Sequence, residues 1–202
     1  MGESRQNPEQ LLKSLQTDEE NRNKGHLKIF FGYAAGVGKT YAMLEAAHMA
    51  KQQGIDVVAG YVEPHACPKT AALLNGLEVL PTREVFYNGM ILDEFDIGMA
   101  LRRKPQLILV DELAHTNAEG CRHAKRYQDI KELLNAGIDV YTTVNVQHIE
   151  SLCDTVASIT EIVVQERIPD SLFDNADQVE LIDIEPQDLI NRLNTGNVYR
   201  QT

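Results

Sequence analysis

Phe31-Gly32-Tyr33-Ala34-Ala35-Gly36-Val37-Gly38-Lys39-Thr40 follows the mainly apolar run Leu27–Phe31 and leads into a segment with helical spacing from Tyr41. Strand, glycine-rich turn, Gly-Lys-Thr and helix are, in that order, the parts of a P-loop. Such a turn wraps a polyphosphate in backbone N–H groups, and glycine both removes the β-carbon that would block the approach and allows positive φ. On this reading Gly36, Val37, Gly38, Lys39, Thr40 and Tyr41 hold the nucleotide. Lys39 reaches its β- and γ-phosphates, the Thr40 hydroxyl ligates Mg²⁺, and the following helix offers its positive end. The usual pattern puts a glycine five residues before the Gly-Lys pair; here that slot is Tyr33, and Gly32 stands one position early. Phosphate binding is expected, with an altered loop entrance.

Working outward, the 202 residues suit one compact domain with a full core. Nineteen Lys and Arg against 30 Asp and Glu give a net charge of −11, which speaks against non-specific nucleic-acid binding. A local nest can still hold a nucleotide in that field. No apolar run is long enough to cross a membrane and no secretory signal is visible. Three cysteines, Cys67, Cys121 and Cys153, fit a reducing cytoplasm better than a disulfide framework.

Residues 1–24 are polar and read as a tail or a docking helix, with Leu11, Leu12 and Leu15 at helical spacing; the nucleotide-binding domain is placed at 25–202. Beyond the first helix, which Gly54 stops, the pattern predicts a strand at Val57–Val62 ending at Glu63-Pro64-His65, and a short helix over 68–75. A hairpin follows, Val85–Tyr87 and Met90–Leu92 around Asn88-Gly89. Further elements are a helix at Asp93–Arg103, a strand at Leu107–Val110 that is apolar throughout, and a helix at His123–Asn135. Then come a strand at Ile138–Val144, a helix at His148–Ile159, a strand at Ile162–Gln165 and a short helix after Pro169. A strand at Val179–Asp183 and a helix at Pro186–Leu193, capped by Gly196, complete the chain. Strands alternating with helices imply right-handed crossovers and a mainly parallel sheet. The expected fold is therefore α/β: a three-layer P-loop nucleotide-binding fold with a small hairpin insertion.

Asp111-Glu112 ends the apolar strand, where an acidic residue in a P-loop fold holds Mg²⁺. Asp111 is the candidate metal partner, through a water, and Glu112 the candidate catalytic base for an attacking water. The alternative is that both acids cap the adjacent loop. Asn145 and Gln147 follow the next strand, again at a carboxyl end where open α/β sheets bind ligands. Either they touch a γ-phosphate or a water, or Asn145 simply caps the following helix. His115, Cys121 and His123 lie within nine residues but lack the paired spacing of a zinc site, so loop polarity accounts for them better. Arg122, Lys125 and Arg126 supply either a positive finger to phosphate or exposed helix charge. His48 and His65 have no partner that the sequence names.

Six blocks in order carry a resemblance: GVGKTYAMLEAA (36–47), GYVEPH (60–65), LVDELAHTN (109–117), KRYQDI (125–130), GIDVYTTVNVQHIESL (137–152) and DQVELIDIEPQDLINRL (177–193). From Lys28 to Tyr199 the chain resembles the N-terminal cytoplasmic domain of the KdpD family of potassium-responsive sensor histidine kinases. The resemblance implies an ATP-binding, regulatory domain that modulates kinase against phosphatase activity toward a response regulator, KdpE. Its ATP-binding motif falls on Gly36, Gly38, Lys39 and Thr40. Cys67, Lys69, Glu119 and Tyr33 depart from the family pattern, which bears on the loop entrance and on partner contacts there. No transmembrane hairpin, phospho-acceptor histidine segment or kinase glycine boxes are visible in the 202 residues.

The leading expectation is a regulatory module in which Mg-ATP (or ADP) orders the loops at 112–122 and 145–148 on the cytoplasmic face of a longer kinase. A slow ATPase or phosphotransferase using Glu112 is the alternative. A docking module that has lost its nucleotide is the third.

Overall fold

The computed structural model describes residues 23–63, 68–87 and 89–194. Residues 1–22, Pro64–Cys67 with His65, Asn88 of the hairpin turn and Gly196 lie outside them. The leucines of the docking-helix segment therefore lie outside as well.

Six strands form one sheet in the order β3-β2-β6-β7-β1-β8, every pairing parallel. They are β1 (Leu27–Gly32), β2 (Val57–Tyr61), β3 (Glu78–Val79), β6 (Leu107–Val110), β7 (Asp139–Asn145) and β8 (Gln178–Leu181). The hairpin β4 (Arg83–Tyr87) and β5 (Met90–Glu94) stands apart as an antiparallel pair, with Phe86 opposite Ile91. Among the described residues the helices are α1 (Lys39–Gln52), α2 (Pro68–Ala72), α3 (Ile97–Arg103), α4 (Arg126–Asn135), α5 (Cys153–Thr160), α6 (Asp170–Asp174) and α7 (Pro186–Asn194). None is long and apolar enough to cross a membrane.

Because side chains alternate across a strand, the run Leu107-Ile108-Leu109-Val110 feeds two cores at once. Leu107 and Leu109 join Phe30, Val57 and Ala59 against Met43, Leu44 and Ala47 of α1. Ile108 and Val110 join Ile29, Val58 and Val140 against Ile97 of α3 and Ile130 and Leu133 of α4. Full burial of each of these aliphatic side chains contributes about 1.5–3 kcal/mol. Helix, sheet, helix is thus the layering, as the alternating pattern predicted.

The structure corrects several boundaries. β5 runs through Asp93 and Glu94, which pair with Glu84 and Arg83. α3 starts only at Ile97, where the Asp96 carboxylate accepts from the Met99 N–H at 2.9 Å. α4 starts at Arg126 because Lys125 is extended, its N–H donating to the Gln128 side chain at 3.0 Å. The predicted 148–159 helix is broken: two 3₁₀ turns, Val146–His148 and Glu150–Leu152, precede α5, with Ile149 extended between them. The predicted strand at Ile162–Gln165 does not form. Ile162 and Val163 are 64% and 74% exposed, and the place beside β1 is taken by β8. The short edge strand β3, by contrast, was not expected from its sequence.

Candidate functional site

The carboxyl ends of β1, β6 and β7 come together on one rim of the sheet. Gly32 closes β1 directly opposite Asn145 of β7, and β6 ends one residue before Asp111. Gly36 and Gly38 in the β1–α1 turn have φ of 86° and 112°, which the sequence provides for by glycine alone. Gly32 proves to be needed where it stands. A Cβ there would meet the Val37 Cγ2 at 2.7 Å and the Ile182 carbonyl oxygen at 3.2 Å. Val37 is buried at 2% exposure, anchoring the turn. The Tyr33 hydroxyl, in the slot of the missing glycine, donates to the Ile184 carbonyl at 3.0 Å.

α1 begins at Lys39 with no side chain capping its first N–H groups. Lys39 is 9% exposed and its Nζ donates to the Ala34 carbonyl at 2.9 Å, back across the turn. Burial pulls its pKa down to about 8, against the opposing pull of Asp111 and Glu112. The Thr40 hydroxyl donates to the Asp111 Oδ2 at 3.0 Å, joining residues 71 apart in sequence. Asp111 is fully buried, and its other oxygen accepts from the Thr143 hydroxyl and from the Glu112 N–H. Tyr41 lies on the outer face of α1, 38% exposed, with its hydroxyl held by Glu45.

Glu112 adopts a left-handed backbone, φ 59°, an uncommon conformation for a residue with a β-carbon. Its side chain has solvent access. The protein crowded around the carboxyl, with Asp111 and Glu63 nearby, nonetheless raises its pKa above the ordinary glutamate value. Asn145 precedes the first 3₁₀ turn but makes no side-chain cap, so the capping alternative is not realised. Its Oδ1 is buried with no hydrogen-bond partner among the described residues. Gln147 sits half-buried in that turn.

Of the basic residues at 122–126, Arg122 is exposed, as the surface-charge alternative had it, whereas Arg126 fits neither expectation. Arg126 is neither a finger nor exposed: it is 0% exposed, pairs with Glu94 at 3.0 Å, stacks on Tyr61 and donates to the Asp111 carbonyl at 3.3 Å. Arg122 pairs with Glu132, and Lys125 donates to the Thr116 hydroxyl. His115 contacts both Glu94 oxygens at 3.2 Å, His123 sits 2.8 Å from Asp129, and His48 meets the Leu73 carbonyl at 2.7 Å.

Sequence reasoning missed Thr143 and Arg192, whose Nη1 donates to the Gly36 carbonyl at 3.1 Å, and it named Arg126 without foreseeing its burial. Thr143 was within reach, since it shares a strand face with Asn145. The other two owe their places to tertiary contacts alone.

The donor set is one of hard oxygens. Thr40 and Asp111 suit Mg²⁺, which takes one or two protein oxygens and fills its shell with water and phosphate. No group of three His, Cys, Asp or Glu side chains converges among the described residues to cage a metal by itself. A cation therefore fits here in company with an anionic ligand.

Fold and site together define a parallel α/β domain with a glycine turn, a buried lysine and a buried Thr–Asp pair at its carboxyl rim. A family model described as KdpD, osmosensitive K⁺ channel His kinase sensor domain, matches residues 23–202. The chain belongs to this family. It is 60% identical over 197 residues to a sensor protein KdpD of Clostridium acetobutylicum, covering 98% of this chain and 22% of that protein. It is 55% identical to the sensor protein KdpD of Escherichia coli K12, with coverage of 96% and 21%. A Mycobacterium tuberculosis sensor protein KdpD is 54% identical, with coverage of 87% and 20%. The chain spans about a fifth of the length of these relatives.

Proposed function

We propose that the domain is the regulatory ATP-binding part of a cytoplasmic-facing, potassium-responsive sensor histidine kinase that controls potassium-uptake genes through a response regulator. Mg-ATP (or ADP) is held by the P-loop Gly36–Thr40, with Tyr41 in the first turn of α1. The observation that carries this reading is the buried Thr40–Asp111 hydrogen bond at 3.0 Å beside a turn with two glycines at positive φ. Such a pairing brings a metal-ligating hydroxyl and a carboxylate to the base of an N–H-lined nest.

Bound Mg²⁺ would supply charge neutralisation for the phosphates; the chain's own groups do the rest. Lys39 exchanges its neutral acceptor, the Ala34 carbonyl, for an anionic oxygen, and a charge-assisted bond is about twice as strong. Asn145, with its buried amide oxygen unsatisfied, is poised to engage a water or a phosphate-bound group. Nucleotide-dependent rearrangement of residues 112–122 and 145–148 is then what the remainder of the kinase reads.

Calorimetric titration with Mg-ATP tests this. Wild type binds, and Lys39→Ala loses about 2 kcal/mol, the worth of one charge-assisted contact. Equal affinity for both proteins overturns the P-loop assignment. A second reading, slow ATP hydrolysis with Glu112 as base, draws on the left-handed backbone and raised pKa of Glu112.

A further inference from the structure

The phosphate-loop turn has a neighbour from the far end of the chain. Arg192, on α7, donates from Nη1 to the Gly36 carbonyl at 3.1 Å and the Val37 carbonyl at 3.4 Å. A β-carbon built on Gly38 would lie 3.7 Å from the same nitrogen. One guanidinium thus bonds two carbonyls of the turn and lies beside Gly38, 156 positions away from Gly36 in sequence. The approach to α7 is fastened to the same place: the Ile182 N–H donates to the Phe31 carbonyl at 2.7 Å, and Tyr33 holds Ile184.

α7 itself contributes nothing to the core. None of its residues is buried, and Ile190 and Leu193 are 48% and 42% exposed. With none of its residues buried, a small shift of the helix costs little packing. Carbonyl oxygens are weak acceptors for a guanidinium compared with a phosphate oxygen, which also matches the planar fork. Lys39 shows the same arrangement, its ammonium resting on Ala34 of the same turn.

We propose that Arg192 is a phosphate-binding residue delivered in cis by α7, which moves from the loop carbonyls onto the terminal phosphate of a triphosphate seated in the turn. The position of α7 would then distinguish ATP from ADP. This inference rests on the nucleotide-binding reading above. A purely structural clasp, by contrast, would stiffen the turn for both nucleotides alike.

The test is a fluorescence titration of the full chain with Mg-ATP and Mg-ADP, on wild type, Arg192→Ala and Arg192→Lys. Hydrogen exchange of the α7 amides is followed in parallel. Arg192→Ala is expected to weaken ATP binding by about tenfold, the scale of one charge-assisted contact, and ADP binding by no more than about twofold. Arg192→Lys, which keeps the charge without the fork, falls between. ATP should protect α7 in wild type and not in Arg192→Ala. Equal losses for ATP and ADP, or no loss, overturn the proposal while leaving nucleotide binding intact. Absence of any nucleotide binding by wild type removes both readings.

Discussion

Arg126 and Glu94 form an ion pair at 3.0 Å with side-chain exposures of 0% and 5%, directly beneath the Asp111 loop. Glu94 also accepts from the Ala118 N–H at 2.8 Å and meets His115, so one carboxylate ties the hairpin to the loop and to α4. Burial alone would raise the Glu94 pKa; the His115 and Ala118 hydrogen bonds and the Arg126 charge outweigh it and hold it below the ordinary glutamate value. Glu94→Ala strands a buried guanidinium whose Nε already has no partner among the described residues. Loss of one member of such a pair costs about 3–5 kcal/mol. Urea unfolding of Glu94→Ala and Arg126→Leu measures it, and a change below about 1 kcal/mol in both would show that the pair is not structural.

Glu112 separates regulation from catalysis. Glu112→Gln should leave nucleotide affinity intact in either case. If the domain hydrolyses ATP with this residue as base, steady-state phosphate release drops about tenfold or more. A pure regulator keeps whatever basal rate it has. Glu112→Gly relieves the left-handed backbone, and about 1 kcal/mol of added stability is expected by thermal melting. A destabilised Glu112→Gly protein would mean that the side chain's contacts outweigh the backbone strain.

His26 and Asp177 join the start of β1 to the residue before β8, with Nδ1 and Oδ1 3.0 Å apart and the Leu27 N–H donating to the other Asp177 oxygen at 2.7 Å. The hydrogen bond to Asp177, then its charge, raises the His26 pKa. Desolvation works to raise the Asp177 pKa, but the His26 and Leu27 hydrogen bonds outweigh it and lower it. A raised histidine stabilises fully below its unfolded pKa of about 6.5, and that part is lost as pH rises through the folded value. A lowered aspartate stabilises above about 3.9, lost as pH falls through its folded value. The pair therefore contributes most between about pH 4 and 6.5. Both groups are well exposed, so the effect stays below about 1 kcal/mol. Melting temperatures of wild type and His26→Gln should differ at pH 5.5 and converge by pH 8.5; a constant gap would exclude titration as the cause.

Local pattern carried much of the architecture. Leu107–Val110 could be read as a strand covered on both faces because four apolar residues in a row permit nothing else between two turn signals. The Gly36–Thr40 turn announced itself by composition. Ile162 and Val163 misled for the complementary reason: these apolar, β-branched residues lie exposed on the surface, and β8 holds the place beside β1. Arg126 was illegible because an arginine at the start of a polar helix reads as solvated. Its burial depends on Tyr61 and Glu94, residues from two other elements. Gly32 looked out of register only because the motif fixes a spacing, while the steric need at β1 comes from Val37 in the turn itself and then from Ile182 near the other end of the chain.

β7 separates β1 from β6, so Thr40, in the helix that follows β1, and Asp111, just beyond β6, come after strands that never pair. Their meeting is gauged by the width of an intervening ribbon, two interstrand spacings or roughly 10 Å at the level of the backbone. Thr143 on that ribbon holds the same carboxylate. A bulge introduced within Asp139–Asn145 would consequently spread the two jaws apart while leaving both their residues unaltered. The tolerance of this rim to insertions should therefore be narrowest in the one strand that bears neither jaw.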